Sequence, residues 1–455
     1  MEEIIAAIST PMGPGAVGIV RLSGEGCRQV ADRLFRPVTP GKTLAGMRGY
    51  TGCLGRTFDS QGEIDEAVAY VYEAPRSYTG EEVVELCCHG SSYLLGRVLE
   101  ACLQAGARLA QPGEFTKRAF LNGKLSLDEA ESVMDLIGST SAQAARAALS
   151  AHDGALFREI SACADRLLDL AAHLAAWVDY PEEDLPQVEN GRLEEELRQV
   201  KARLDKLAGG YRAGRLVREG VDTVLAGRPN VGKSTLMNPL AGSRRSIVTD
   251  IPGTTRDVVE DTVRLGEMVL RLSDTAGLRH SDDPIEQAGV ELTNQRLESC
   301  DLVLALFDNS SPLEQDDLEL LGRLQGRLAV AVLNKTDLPP AADQEVIRRY
   351  IPQVVALSAK NGDGVEELAA VVARLLGTAH LEPGAPMVAN QRQLECVRRG
   401  IGALTDALEA LEMGQTYDAL SVCIDEAVDA LLELTGQRAT TAVVDRVFHN
   451  FCVGK

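Results

Sequence analysis

The chain has 455 residues, about three domains' worth at roughly 150 residues each. Its 45% apolar and 25% charged residues are those of a folded protein, which excludes disorder and collagen-like repeats. The formal net charge of −21, from 46 Lys and Arg against 67 Asp and Glu, repels polyanions at long range, so any nucleic-acid site must be local. The longest apolar runs, 302–307 and 328–333, fall far short of the roughly 20 residues that span a bilayer. The Met-Glu-Glu-Ile start carries no basic, apolar signal pattern, so a cytoplasmic location with no membrane partner is expected. Ten cysteines are spread along the chain without a C-x-x-C pair, and the six histidines have no ligand partners at metal spacing; neither a disulfide framework nor a zinc site is indicated.

In chain order, short β-branched runs at 16–21, 66–72 and 82–87 between Gly and Pro clusters predict a small α+β domain over 1–118. Helical spacing then sets in: Leu156, Ile160, Cys163, Leu167, Leu170 and Leu174 share a face, and a further helix over 193–207 is expected to stop at Gly209-Gly210. This is a helical domain over 119–215. Between 216 and 378 the period changes. Near-continuous apolar strands at 221–225, 269–272, 302–307, 329–333 and 354–357 alternate with helices, the mark of a mostly parallel sheet covered on both faces. Helical spacing resumes at 394–413 and 419–434, so 379–455 completes the bundle and the α/β domain is inserted into it.

Gly227-Arg-Pro-Asn-Val-Gly-Lys-Ser234 follows the strand at 221–225 and opens a helix, the context a phosphate-binding loop requires. Its glycines let backbone N–H groups, from Asn230 and Gly232 to Thr235, surround phosphate oxygens; Lys233 neutralises charge and Ser234 offers a hydroxyl to Mg²⁺. Asp274-Thr-Ala-Gly277 ends the next apolar strand, with Asp274 placed for the Mg²⁺ shell and the Gly277 N–H for the terminal phosphate. Asn334-Lys335-Thr-Asp337 and Ser358-Ala359-Lys360 follow later strands; Asp337 can accept both N–H groups of the guanine edge, a pair adenine lacks, and the second segment closes over the base. This is the order of Ras-like GTP-binding proteins. Pro239 should kink or shorten the helix after the phosphate loop. The place of the water-orienting Gln is taken by Leu278, so the loop 246–256 and Asn230 are candidates to hold a monovalent cation that stabilises charge in its stead.

The phosphate loop, Asp250-Ile-Pro-Gly-Thr-Thr-Arg-Asp257, Asp274-Thr-Ala-Gly-Leu-Arg279, the flanking helices and the terminal Cys452-Val-Gly-Lys455 resemble the tRNA uridine-modification GTPase family MnmE (TrmE) over essentially the whole chain. The resemblance implies a potassium-dependent GTPase and homodimer. Asn230, Thr249, Ile251 and Thr254 would hold K⁺, Thr255 would join Ser234 on Mg²⁺, and Glu286 would be catalytic by orienting water. It also implies an N-terminal domain that is folate-binding-like and dimerising, taking a one-carbon tetrahydrofolate (formyl or methylene) through Arg21, Glu85, Lys124 and Lys455, with Cys452 as a catalytic thiol. The family works with an FAD-containing partner, MnmG (GidA), in a heterotetramer that adds an aminomethyl or carboxymethylaminomethyl group to carbon 5 of the wobble uridine of tRNA. FAD belongs to that partner, since this chain has no G-x-G-x-x-G fingerprint. Arg212, Arg215 and Arg218, and separately Arg392, Arg398 and Arg399, are the local basic groups open to tRNA. The rival reading is a ribosome-assembly GTPase, an RNA-binding switch without covalent chemistry.

Overall fold

The computed structural model describes residues 3–179, 190–241, 261–274, 296–379, 381–382, 384–449 and 451–454, with backbone alone at 178, 179, 241, 261, 273 and 274. The chain divides into two compact units, Met1–Met134 with His152–Leu204 and Glu395–Lys455, and Asp135–Ala151 with Asp205–Leu394.

The first unit opens with β1 (Ile5–Ile8), β2 (Gly15–Ser23), α1 (Cys27–Leu34), β3 (Phe35–Pro37), β4 (Thr51–Asp59), β5 (Gly62–Tyr72), β6 (Val83–Gly90), α2 (Ser92–Gln104) and β7 (Arg108–Leu109). They form a seven-stranded sheet in the order β3-β4-β5-β6-β2-β1-β7, antiparallel except for the β1–β7 pair. Strand alternation decides which side chains meet. On β6, Val84, Leu86 and Cys88 enter the core with Val30, Leu34, Leu95 and Val98 of the helices, while Glu85, Cys87 and His89 point to the other face. The register sets Arg21 of β2 and Tyr70 of β5 on either side of Glu85.

The helical part of this unit contains α3 (Glu114–Leu121), α4 (Leu127–Gly138), which runs on past Met134, and α6 (Ala155–Asp179), after α5 (Ala142–His152). Leu156, Ile160, Cys163, Leu167 and Leu174 of α6 are buried, as their spacing predicts. The helix α7 (Asn190–Glu219) overturns one expectation: it does not stop at Gly209-Gly210. Neither glycine takes a left-handed conformation, and the apolar face continues through Ala213, Leu216 and Val217, all buried. The stop falls at Gly220, at φ 81°, whose N–H donates to the Leu216 carbonyl.

The second unit carries β8 (Val221–Ala226), α8 (Lys233–Ala241), β9 (Asp261–Leu265), β10 (Met268–Asp274), β11 (Leu302–Asp308), α9 (Gln315–Leu324), β12 (Ala329–Asn334), α10 (Gln344–Tyr350), β13 (Val354–Ala356) and α11 (Val365–Leu375). The six-stranded sheet runs β13-β12-β11-β8-β10-β9, parallel apart from the β9–β10 hairpin at one edge. Its central strands are mostly apolar because helices cover both faces, with polar residues such as Asp308 and Asn334 at their carboxyl ends; every residue of β12 is buried. After β8 the chain goes first to one side of the sheet and then, with β11, to the other. The crevice beyond the carboxyl ends of these strands is where an open α/β sheet takes its ligand. The edge strand β9 went unread because Thr262 and Arg264 alternate with the buried Val263 and Leu265, a half-exposed pattern rather than an apolar run. α8 is nine residues long and is described to Ala241, two residues beyond Pro239. The chain then closes the bundle with α12 (Gln391–Glu412), α13 (Tyr417–Thr435) and α14 (Thr441–His449).

The protein is thus multidomain, with an N-terminal α+β sheet, an all-α bundle and an inserted α/β domain. Among the described residues no helix is long and apolar enough to cross a membrane, and no cluster of His, Cys, Asp and Glu could hold a metal ion.

Candidate functional site

The loop after β8 is built around two glycines that nothing else can replace. At Gly227, φ is 150° and a Cβ would lie 2.5 Å from the Leu306 carbonyl oxygen of β11. At Gly232, φ is 100° and a Cβ would lie 2.1 Å from Asn334 Nδ2. Between them Asn230 holds φ 64° with an exposed side chain. Lys233 Nζ donates to the Gly227 carbonyl at 2.8 Å, closing the loop on itself, and Ser234 and Thr235 are exposed on the first turn of α8.

Asn334, at the end of β12 and 2% exposed, joins the loops. Its Nδ2 donates to the Val231 carbonyl at 2.8 Å, and its Oδ1 accepts the Ala359 N–H at 2.9 Å. Ser358 Oγ donates to Asp337 Oδ1 at 2.9 Å, which orients an otherwise exposed carboxylate; Lys360 is exposed beside it. The Asp274 backbone pairs in register with Leu225, so the end of β10 stands level with the start of the phosphate loop. Thr249, Ile251, Thr254, Thr255, Gly277, Glu286 and Lys455, with the side chain of Asp274, lie outside the described residues.

Sequence reasoning missed the residues that hold these loops. Asp308, at the end of β11, accepts Lys335 Nζ at 2.5 Å and both the N–H and hydroxyl of Ser310 at 2.8 and 2.6 Å. Burial alone would raise the Asp308 carboxyl, but Lys335 and Ser310 outweigh it and hold it below the usual carboxylate range. Arg228 is paired within the protein: its Nε donates to Asp317 at 2.9 Å and its guanidinium also pairs with Glu314. A carboxylate ending a buried strand was the available signal for Asp308; Asp317 gave none.

On the N-terminal sheet, Arg21 Nε donates to Glu85 Oε1 at 2.9 Å, and Tyr72 OH donates to Glu85 Oε2 at 3.2 Å. The Arg21 guanidinium carbon lies 5.3 Å from the Tyr78 ring centroid and 5.5 Å from that of Phe115. With side chains 14% and 16% exposed, Arg21 and Glu85 form a built pair rather than loose surface charges. Burial, then the Glu85 carboxylate, push the Tyr72 hydroxyl up to about 12. Lys124 is exposed, its Nζ donating to the Pro75 carbonyl at 3.3 Å. The chain's last described residues are fastened to this same unit. The Gly113 N–H donates to the Cys452 carbonyl at 3.2 Å, Phe451 is buried, and a Cβ on Gly454 would lie 2.2 Å from the Ile8 carbonyl oxygen. Cys452 is exposed, whereas burial pushes the thiols of Cys27, Cys88 and Cys102 up to about 12, which makes them packing groups.

Several of the basic groups are spoken for. Arg215 pairs with Asp301, Arg218 with Asp135 at 2.6 Å, and Arg399 with Glu433 at 2.5 Å, while Arg212 and Arg398 are exposed.

The sequence matches the family "GTP-binding protein TrmE N-terminus" over residues 4–124 and the family "MnmE helical domain" over residues 127–452. Among curated proteins it is 44% identical to "tRNA modification GTPase MnmE" of Symbiobacterium thermophilum, over 100% of both chains. It is 41% identical to the protein of that name from Heliobacterium modesticaldum, over 100% of this chain and 99% of the relative. A stretch covering 40% of this chain and 66% of the other is similar to a solved structure of Era from Aquifex aeolicus bound to GDP.AlF4−, at 26% identity and a TM-score of 0.28. With this match along its whole length, the chain belongs to the MnmE (TrmE) family of tRNA modification GTPases.

Proposed function

We propose that the chain is a potassium-dependent GTP-hydrolysing enzyme of tRNA modification, working in the cytoplasm as a homodimer. With an FAD-containing MnmG partner, in a heterotetramer, it would add an aminomethyl or carboxymethylaminomethyl group to carbon 5 of the wobble uridine. The observation that carries the reading is Asn334, which ties the loop after β8 to the Ser358-Ala359-Lys360 segment at the carboxyl ends of the strands and so supports a phosphate-binding loop beside a base-reading one.

In this reading residues 216–378 are a Ras-like G domain, 119–215 and 379–455 the bundle, and 1–118 the folate-binding and dimerising domain. Asp337, already turned by Ser358, accepts the guanine N–H pair, and Lys335, held by Asp308, lays its alkyl chain along the base. The loop's N–H groups and Lys233 hold the phosphates. Ser234, Thr255 and Asp274 offer the hard oxygen donors that suit Mg²⁺, and Asn230, with the loop at Thr249, Ile251 and Thr254, offers the oxygens that suit K⁺. Bound there, the cations would stabilise charge developing on the phosphates. Glu286 orients the attacking water. Arg21, Glu85, Lys124 and Lys455 suit a one-carbon tetrahydrofolate: a carboxylate meets the pterin N–H edge and the cations hold the acidic tail. Cys452 supplies a thiol from the tail fastened to that domain.

Hydrolysis of GTP by the purified chain in KCl and in NaCl tests this directly. The expected rate in KCl exceeds that in NaCl by about tenfold or more, and Glu286→Ala lowers kcat by roughly 10²-fold while nucleotide affinity stays within about twofold. Equal rates in the two salts, or loss of affinity equal to the loss of turnover, would overturn it.

A further inference from the structure

An arginine inside a phosphate loop invites the reading that it neutralises phosphate. The geometry here assigns it elsewhere. Arg228 has a side chain 14% exposed, and its guanidinium is spent on Asp317 and Glu314 at the start of α9. Asp317 is the more telling partner. Its side chain is 1% exposed, and it works twice, Oδ2 accepting the Glu314 N–H in the capping box of α9 while Oδ1 accepts Arg228 Nε.

The loop needs a second anchor for a physical reason. Asn334 holds only its carboxyl-side limb, through Val231 and the close approach at Gly232. The remaining stretch contains Pro229, which has no N–H to donate, and Asn230, a non-glycine residue at φ 64°. Such a conformation persists only where its surroundings over-determine it. Lys233 Nζ reaches the Gly227 carbonyl from α8, and Arg228, two residues before Asn230, ties this limb to α9 across the sheet end.

We propose that Arg228, through Asp317, is a positioning residue of the phosphate loop: it fixes the limb that Asn334 does not reach and thereby sets how long a guanine nucleotide is held. The role rests on the GTP-binding reading given above and deepens it.

Release of N-methylanthraniloyl-GDP from the full-length chain, followed by stopped flow beside the KM and kcat for GTP and the thermal midpoint, provides the test. Arg228→Gln is expected to release the probe about tenfold faster and raise the KM by a similar factor, with a smaller change in kcat. Arg228→Lys, which keeps the charge but not the forked donor set, recovers part of both effects. In the double variant Arg228→Gln with Asp317→Asn, the buried carboxylate that has lost its cation is replaced by a neutral amide that can still accept the Glu314 N–H, so the thermal midpoint rises toward that of the wild type while release stays fast. A purely structural role gives the opposite pattern: a lowered midpoint with unchanged release in Arg228→Gln, or a double variant in which release and midpoint recover together. Either result overturns the role. A wild-type chain that binds no guanine nucleotide overturns the GTP reading and this role with it, whereas wild-type binding with unaltered release in Arg228→Gln overturns this role alone.

Discussion

Asp337 gains its selectivity from what holds it as much as from its own charge. Ser358 occupies Oδ1 from one side, which leaves the exposed remainder of the carboxylate for a pair of donors on the guanine edge. Replacing that acceptor by an amide leaves one donor of guanine facing a donor, and xanthine, with a carbonyl in place of the amino group, becomes the better partner. Asp337→Asn is therefore expected to shift the preference from GTP toward xanthosine triphosphate by about 10²-fold or more, read as the ratio of kcat/KM values; unchanged preference would place the base elsewhere. A different carboxyl makes a prediction about pH. Asp128, 2% exposed with Oδ2 unpartnered, is pushed up to about 6, chiefly by burial and despite the Ser126 hydroxyl. Its folded value exceeds its unfolded one, so the folded state binds the proton more tightly. Stability from this group is fully present below the ordinary Asp range and declines as the pH rises through about 6. Asp128→Asn is expected to raise stability at neutral pH by up to about 3 kcal/mol and to flatten the pH 4–7 dependence of the thermal midpoint; a midpoint that falls would show that the carboxylate has a partner worth keeping. Gly227, Gly232 and Asn334 of the described loops could be read from the chain because each belongs to a loop at its own strand end. The pairs Arg21–Glu85 and Arg228–Asp317 could not, since each depends on the register or packing of segments far apart in sequence.

At the scale of elements, α7 makes the sharpest test of how burial overrides local preference. A Gly-Gly pair reads as a helix end, yet the helix runs from Asn190 to Glu219 because the residues beyond the pair still have an apolar face to bury. Gly209 and Gly210 have nothing within 4 Å of an added Cβ. Gly209→Ala with Gly210→Ala is thus expected to stabilise the protein by about 1–2 kcal/mol in denaturant unfolding; destabilisation would mean that the helix needs to bend there. The buried strands β11 and β12 were legible as apolar runs, and so were the helical stripes. β9 was not, because an edge strand with one wet face carries only five residues of alternation, too short to separate from a loop.

At the scale of the molecule, the net charge of −21 remains the constraint on any tRNA site. Arg215, Arg218 and Arg399 neutralise carboxylates of the protein itself, so they add little to an attractive field; Arg392 is half-buried, and of the six arginines singled out from the sequence it is Arg212 and Arg398 that are exposed outside such pairs. Each phosphate contact made by one of them steepens the salt dependence of tRNA binding by about one unit in the logarithmic slope. Arg212→Ala with Arg398→Ala is expected to reduce that slope by about two, and an unchanged slope would move the site to other residues or to the partner.

In the proposed function, GTP binding by this chain serves uridine modification. That link is tested most directly by digesting tRNA from cells that lack the gene and measuring the wobble nucleosides by mass spectrometry, with complementation by the wild type, Asp337→Asn and Cys452→Ser. The aminomethyl-type nucleosides are expected to disappear, and only the wild type is expected to restore them. An unchanged nucleoside profile in cells without the gene would contradict it and favour a GTP-dependent RNA-binding switch.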